Sequence, residues 1–133
     1  MKTHYLLSIL CSSALSIGSL AHAQTPANYP NKPVKMVVGF APGGAADYVA
    51  RNISDAMGKS LGQSIIVENK AGAGSSIAAE AVSKATPDGY TILVHSVAFA
   101  VNPSLYADAG YDALKDFVPV ALGPKTPNIF TVN

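Results

Sequence analysis

Short continuous apolar runs alternate along the chain with stretches in which apolar residues recur about every four positions. Val34-Lys35-Met36-Val37-Val38-Gly39-Phe40 is a short, β-branched apolar run and predicts a strand, broken by Ala41-Pro42-Gly43-Gly44. From Ala45 to Leu61 the apolar positions Val49, Ile53, Met57 and Leu61 recur every four residues, as on one face of a helix. Asp47 falls in its first turn, where a carboxylate complements the helix dipole, and Gly62 stops it. Ser64 to Glu68 predicts a second strand, and Asn69 to Gly74 a loop with Gly72 and Gly74. Ser75 or Ser76 can then cap a helix running to about Lys84, with Ile77, Ala78, Ala81 and Val82 inward and a Glu80–Lys84 pair outward. Pro87-Asp88-Gly89 predicts a turn, Tyr90 to His95 a third strand, and Asn102 to Tyr106 a short helical turn. Phe117 to Leu122 predicts a fourth strand, and Asn128 to Val132 the start of a fifth.

The order β-α-β-α-β followed by strands predicts an α/β fold, a parallel sheet with flanking helices and right-handed crossovers. A parallel sheet needs both faces covered, and no helix comes after the last two predicted strands. The expectation is therefore a piece of a longer chain.

The first residues change this picture. Lys2, the mostly apolar run from Tyr5 to Leu20, and the small-x-small site Ala21-His22-Ala23 read as an export signal cleaved after Ala23. The run is too short and too serine-rich for a spanning helix, and Leu10 before Cys11 does not suit a lipid anchor. Residues 1–23 are then signal, 24–33 a proline-rich extended leader, and 34–133 the folded part. The signal holds one of the nine basic residues, none of the eight acidic ones, and the single cysteine. The mature remainder is electrically neutral, which excludes an electrostatic footprint for nucleic acid or an anionic membrane. It offers no disulfide, no cysteine zinc site, and one histidine, His95.

Candidate chemistry lies in the loops after the first two strands, because ligands of parallel α/β sheets bind outside the carboxyl ends of the strands. Ala41-Pro42-Gly43-Gly44-Ala45 and Ala71-Gly72-Ala73-Gly74-Ser75-Ser76 each open a helix with little side chain in the way. Exposed backbone N–H groups at a helix N-terminus favour carboxylate or phosphate. Ser96, after His95, adds a hydroxyl on the same rim. Glycines that only make tight turns are the competing reading. Gly58-Lys59-Ser60 is not a phosphate loop, since position 53 is Ile53 and the tripeptide lies late in a helix. Gly72-x-Gly74 is not a dinucleotide fingerprint, since its third glycine position is Ile77. No serine sits in a G-x-S-x-G elbow, so Ser76 and His95 are not read as nucleophile and base. His95 is read as a rim or packing residue, and Tyr90, Phe99 and Tyr106 as core.

A run of motifs carries a resemblance. It begins with Tyr29-Pro30-x-Lys32-Pro33 and Val37-Val38-Gly39-Phe40-Ala41-Pro42-Gly43-Gly44-x-x-Asp47. It continues through Leu61-Gly62-Gln63, Val67-Glu68-Asn69-Lys70-Ala71-Gly72-Ala73-Gly74 and Pro87-Asp88-Gly89-Tyr90-Thr91. It ends with Asn102-Pro103-Ser104-Leu105-Tyr106 and Tyr111-Asp112-x-x-Lys115-Asp116-Phe117. Together these resemble the Bug family, the periplasmic solute receptors of tripartite tricarboxylate transporters. The resemblance implies the incomplete first domain of a two-domain, periplasmic-binding-protein-like clamshell, with the second domain missing. It implies a periplasmic, monomeric, non-catalytic receptor that needs no cofactor or metal, captures a small organic carboxylate and hands it to membrane transporter subunits. By position, the ligand-binding residues would be Phe40, Ala41, Pro42, Gly43, Gly44, Ala45, Asp47, Gly74, Ser75, Ser76 and Ser96.

Two departures bear on the ligand. Ala45 and Ala46 stand where the family often has a hydroxyl residue or glycine, and Ser75-Ser76-Ile77-Ala78 stands where it often reads Gly-Asn-Ile-Gly. Backbone donors survive both changes; side-chain contacts do not. The competing functional readings are a truncated product without function and an exported α/β nucleotide-binding enzyme domain.

Overall fold

The strand Val34–Val38 (β1) is the central strand of a parallel sheet, hydrogen-bonded on both edges and covered by helices on its faces. The computed structural model describes residues 28–125, in which β1 pairs in parallel with β2 (Ile65–Asn69) and with β3 (Thr91–Val94). The order β2-β1-β3 places Val34 opposite Ile65 and Val38 opposite both Asn69 and Val94. Helix α1 (Ala45–Leu61) leads from β1 to β2, and α2 (Ser76–Ser83) leads from β2 back past β1 to β3. Right-handed crossovers in opposite directions put the two helices on opposite faces. The packing agrees, with α1 against β1 and β2, and α2 against β1 and β3.

Met36 and Val38 lie under Ala50 of α1, ringed by Phe40, Ala46, Met57, Ile65, Val67 and Val94. Val37 points to the other face, where α2 brings its fully buried Ala78 and Ala79. Lys35 shares that face but stays exposed and pairs with Glu68, which also pairs with Lys70.

The predicted apolar stripe of α1 is rotated from the face that packs. Asp47, Ala50 and Ser54 are buried and Met57 half-buried, whereas Ile53 is 37% and Leu61 38% exposed. Small residues at 46, 50 and 54 let the helix axis approach the sheet closely, which displaces the larger stripe to the flank. In α2 the inward pair is Ala78–Ala79, not Ile77 and Ala81; Ile77 lies instead over Gly72, where a built Cβ would stand 2.5 Å from Ile77 Cδ1. Ser75 takes the N-cap position of α2 without a side-chain cap bond. The αL C-cap at Gly62, the Glu80–Lys84 pair and the 87–89 turn are present as expected.

The short helical turn predicted at 102–106 is the end of a longer helix, α3 (Ala98–Leu105), with Pro103 inside it. Proline cannot donate to the carbonyl four residues back. That carbonyl, Phe99 O, instead accepts from the Tyr111 hydroxyl at 2.7 Å. The predicted strand at 117–122 does not form. Val118, Val120 and Leu122 are more than 80% exposed, because the segment aligns with neither sheet edge and a strand without a ladder has nothing to hold it. The predicted fifth strand, the export signal and the first part of the leader lie outside the described residues. The rest of the leader is tied across the 87–90 turn by Tyr29 to Gly89 O, Asn31 to Tyr90 and Lys32 to Asp88. Among the described residues no helix is long and apolar enough to cross a membrane.

Met36 is the largest fully buried side chain among the described residues. Met36→Ala is expected to lower unfolding free energy by about 2–5 kcal/mol, read as a drop in the urea midpoint at unchanged slope.

Candidate functional site

The connection from β1 runs to one side of the sheet and the next returns past it to β3, so the crevice outside the carboxyl ends of β1 and β3 is the switch point. Three segments reach it: residues 39–44 after β1, 72–76 before α2, and His95-Ser96 after β3. They converge on Gly39, where a built Cβ would fall 2.9 Å from Ser75 Cβ and 3.1 Å from His95 Cδ2. Only a glycine lets the segments approach this closely.

The first loop is organised by Asp47, which is 4% exposed. Its carboxylate accepts from Gly43 N–H at 2.9 Å, from Asn69 Nδ2 at 2.9 Å, and from Arg51 Nε at 3.0 Å to each oxygen. Arg51 Nη2 adds a 3.0 Å contact to Asp47 and donates to Asn69 Oδ1 at 3.1 Å, while Asn69 Nδ2 also donates to Phe40 O at 3.0 Å. The loop is thereby tied to its own helix and to the end of β2. Hydrogen bonds from Arg51 first, then Gly43 and Asn69, hold the Asp47 carboxyl well below the usual carboxylate range against the opposing effect of burial. The first intrahelical bond runs from Tyr48 N–H to Gly44 O, so the N–H groups of Ala45 and Ala46 precede the ladder. Ala41 to Ala45 are all exposed, while Ala46 is half-buried against the core.

The second loop is strained. Ala73, Gly74 and Ser75 have φ of 46°, 62° and 78°, three successive left-handed residues of which two carry a Cβ. Each such alanine or serine is disfavoured by about 1–2 kcal/mol, and the surroundings over-determine the conformation. Asn102 of α3, 4% exposed, donates from Nδ2 to Gly74 O at 2.7 Å and to Ser76 Oγ at 3.1 Å. His95 Nε2 lies 3.2 Å from Ser75 O, and Ser96 N–H lies 3.0 Å from Nδ1. With Nδ1 assigned as the acceptor, Nε2–H donates to Ser75 O. The imidazole is wedged between Phe40 and Phe99, and Phe99 continues through Tyr111 and Phe117 as an aromatic column. His95 is thus a packing residue of the rim.

The structure gathers the sequence-derived site residues at one edge but gives them unequal parts. Phe40, Ala41, Pro42, Gly43, Gly44 and Ala45 line the first loop, Gly74 is exposed on the second, and Ser96 is exposed on the third. Asp47 is committed to its protein partners. Gly43 N–H is taken by Asp47, Ser75 N–H by Gly72 O and Ser76 N–H by Ala73 O, so these amides are not free donors. Ser75 and Ser76 are buried. Tyr106, expected in the core, is 47% exposed with its hydroxyl against Gly74. Arg51, Asn69 and Asn102 hold the two loops in place, and sequence reasoning misses all three. Arg51 carries a usable signal, its i+4 spacing from Asp47. The partners of Asn69 and Asn102 are 18 to 29 residues away and leave no local trace.

These contacts have two measurable consequences. Asn102→Ala leaves Gly74 O without its donor and is expected to destabilise by about 1–3 kcal/mol, against less than about 0.5 for the exposed control Ser104→Ala. The carboxyl of Asp47 has its folded pKa depressed from the ordinary 3.8, so its stabilisation is complete above that value and is lost as pH falls below it. Thermal melts between about pH 2 and 7 should show a steeper acid loss for the wild type than for Asp47→Asn.

Comparison with known proteins identifies the family and the fold. Residues 49–132 match the tripartite tricarboxylate transporter family receptor. Protein BugT of Bordetella pertussis is 40% identical over 107 residues, 79% of this chain and 33% of its own length. A UPF0065 protein of Pseudomonas sp. strain P51 is 40% identical over 93% of this chain and 37% of its own. The periplasmic binding protein BugD superposes with a TM-score of 0.65 at 47% identity, over 67% of this chain and 30% of that one. MatC from Rhodopseudomonas palustris, solved with bound malate, gives 0.60 at 45% identity, over 71% and 32%. An R. palustris protein solved with adipate gives 0.61 at 35% identity, over 64% and 29%. The chain spans between a quarter and two fifths of the length of the curated relatives it matches. By sequence and by fold, it belongs to the tripartite tricarboxylate transporter receptor family.

Proposed function

We propose that this chain contributes the first-domain half of a carboxylate site in a periplasmic solute receptor, acting as a monomer after removal of residues 1–23. The observation that carries the reading is the open N-terminus of α1, where the Ala45 and Ala46 amides precede the helical ladder beside a rigidly held loop. N–H groups ahead of the ladder, at the positive end of a helix dipole, suit a carboxylate without demanding any one carbon skeleton. That matches relatives solved with acids as different as malate and adipate. Ser96 Oγ, which accepts weakly from Ala98 N–H at 3.3 Å, keeps its proton for the ligand on the third loop. Gly74 and the rim of Phe40 supply the opposite wall. Asp47, Ser75 and Ser76 act from behind, by fixing the two loops. The bound acid would pass to the membrane subunits of a transporter, the role that gives the family its name.

Isothermal titration of the full-length protein against a panel of dicarboxylates, tricarboxylates and aromatic acids tests this. Binding of at least one acid at micromolar concentration is expected, with the corresponding amide or alcohol failing to bind. No response to any acid would overturn it.

A further inference from the structure

A carboxylate receptor that places its own buried carboxylate at the mouth of its anion site has an electrostatic problem. Asp47 Oδ2 lies 2.9 Å from Gly43 N, one residue before the helix N-cap and two before the first open amide. An uncompensated charge there would cancel the dipole that attracts the ligand. It would repel an incoming carboxylate within about 7 Å strongly enough to change affinity by one to two orders of magnitude at the effective dielectric of a protein rim. Among the described residues Arg51 is the one cation in contact with it: its guanidinium spans both Asp47 oxygens and also reaches Asn69, while its own side chain is half exposed.

We propose that Arg51 is the positioning and charge-compensating residue of the ligand site. It neutralises Asp47, so that the carboxylate can brace the first loop without opposing the anion the loop receives. The inference rests on the carboxylate reading above and extends it. The pair divides two tasks between two residues. Asp47 supplies acceptors for Gly43 and Asn69, which shape the loop. Arg51 removes the net charge and locks Asn69, whose amide holds Phe40 O. Arg51 acts through Asp47 and needs no contact with the ligand.

The test is titration of the full-length wild type and variants with malate and adipate, alongside thermal melts. Arg51→Gln should fold and lose at least about tenfold in affinity, because it leaves Asp47 charged and alone. Arg51→Lys keeps the charge and should retain most of the affinity. The double variant D47N/R51Q removes both charges, while the amide oxygen introduced at position 47 can still accept from Gly43 N–H. It should bind at least about threefold more tightly than R51Q, short of wild type because Asn69 Nδ2 loses its acceptor at position 47. A merely structural role predicts the reverse order, with the double variant weakest. Should R51Q fail to fold, the double variant and R51K carry the same comparison. An R51Q protein that binds as wild type, or a double variant no better than R51Q, overturns the inference while leaving the receptor reading intact. A wild type that binds neither these acids nor the wider panel overturns both.

Discussion

Asp47 joins three parts of the chain at one edge of the sheet. Its carboxylate holds the loop after β1 through Gly43 N–H, its own helix through Arg51, and the end of β2 through Asn69. A buried carboxylate is tolerated only where its lone pairs are filled and its charge is met, and here both conditions are satisfied within one turn of α1 and one side chain of β2. The amides of Ala45 and Ala46 are open because Asp47 bonds Gly43 and leaves the later N–H groups unclaimed. The site is therefore a by-product of how the helix start is braced.

The second loop reaches comparable rigidity by other means. No charge is involved. Three left-handed residues are held by neutral donors, Asn102 on Gly74 O and His95 on Ser75 O, and by contact at Gly39. The disfavoured backbone is offset by bonds from α3 and β3, elements formed later in the chain, so this loop keeps its shape only when the sheet is assembled. The aromatic column from Phe40 through His95 and Phe99 to Phe117 ties the same rim to residues beyond α3. Substitutions at 111 or 117 would then be felt at the ligand edge through packing rather than through contact.

Two relatives were solved with different acids, malate and adipate. Under the proposed reading, backbone donors would recognise the carboxylate group the two acids share, and the side chains around Ala45, Tyr106 and Ser96 would distinguish the rest. Ala45 and Ala46 make this rim poorer in hydroxyls than the Bug-like pattern suggests, which favours recognition by main chain.

Much of the architecture is local enough to be read from sequence. Apolar runs at 34–40, 64–68 and 90–95 and the four-residue spacing at 45–61 each specify an element, Gly62 and Gly89 mark where elements stop, and the glycine loops mark the edge proposed to bind. What local pattern could not decide was which face each helix turns inward. The stripe Val49-Ile53-Leu61 is the more apolar, yet Ala46, Ala50 and Ser54 face the sheet, because closeness of approach depends on the partner surface and not on the helix alone. Asn102 to Tyr106 predicted only a short helical turn, and in the longer helix over 98–105 the distant Tyr111 hydroxyl gives Phe99 O the donor that Pro103 lacks. Phe117 to Leu122 has the composition of a strand and no ladder to join. Sequence by itself determined the α/β order and the place of the glycine-rich loops, since both depend on neighbouring residues. Tertiary structure alone decided which amides remain free, and that Arg51, Asn69 and Asn102 hold the loops, since each rests on geometry or contacts that only the folded chain creates.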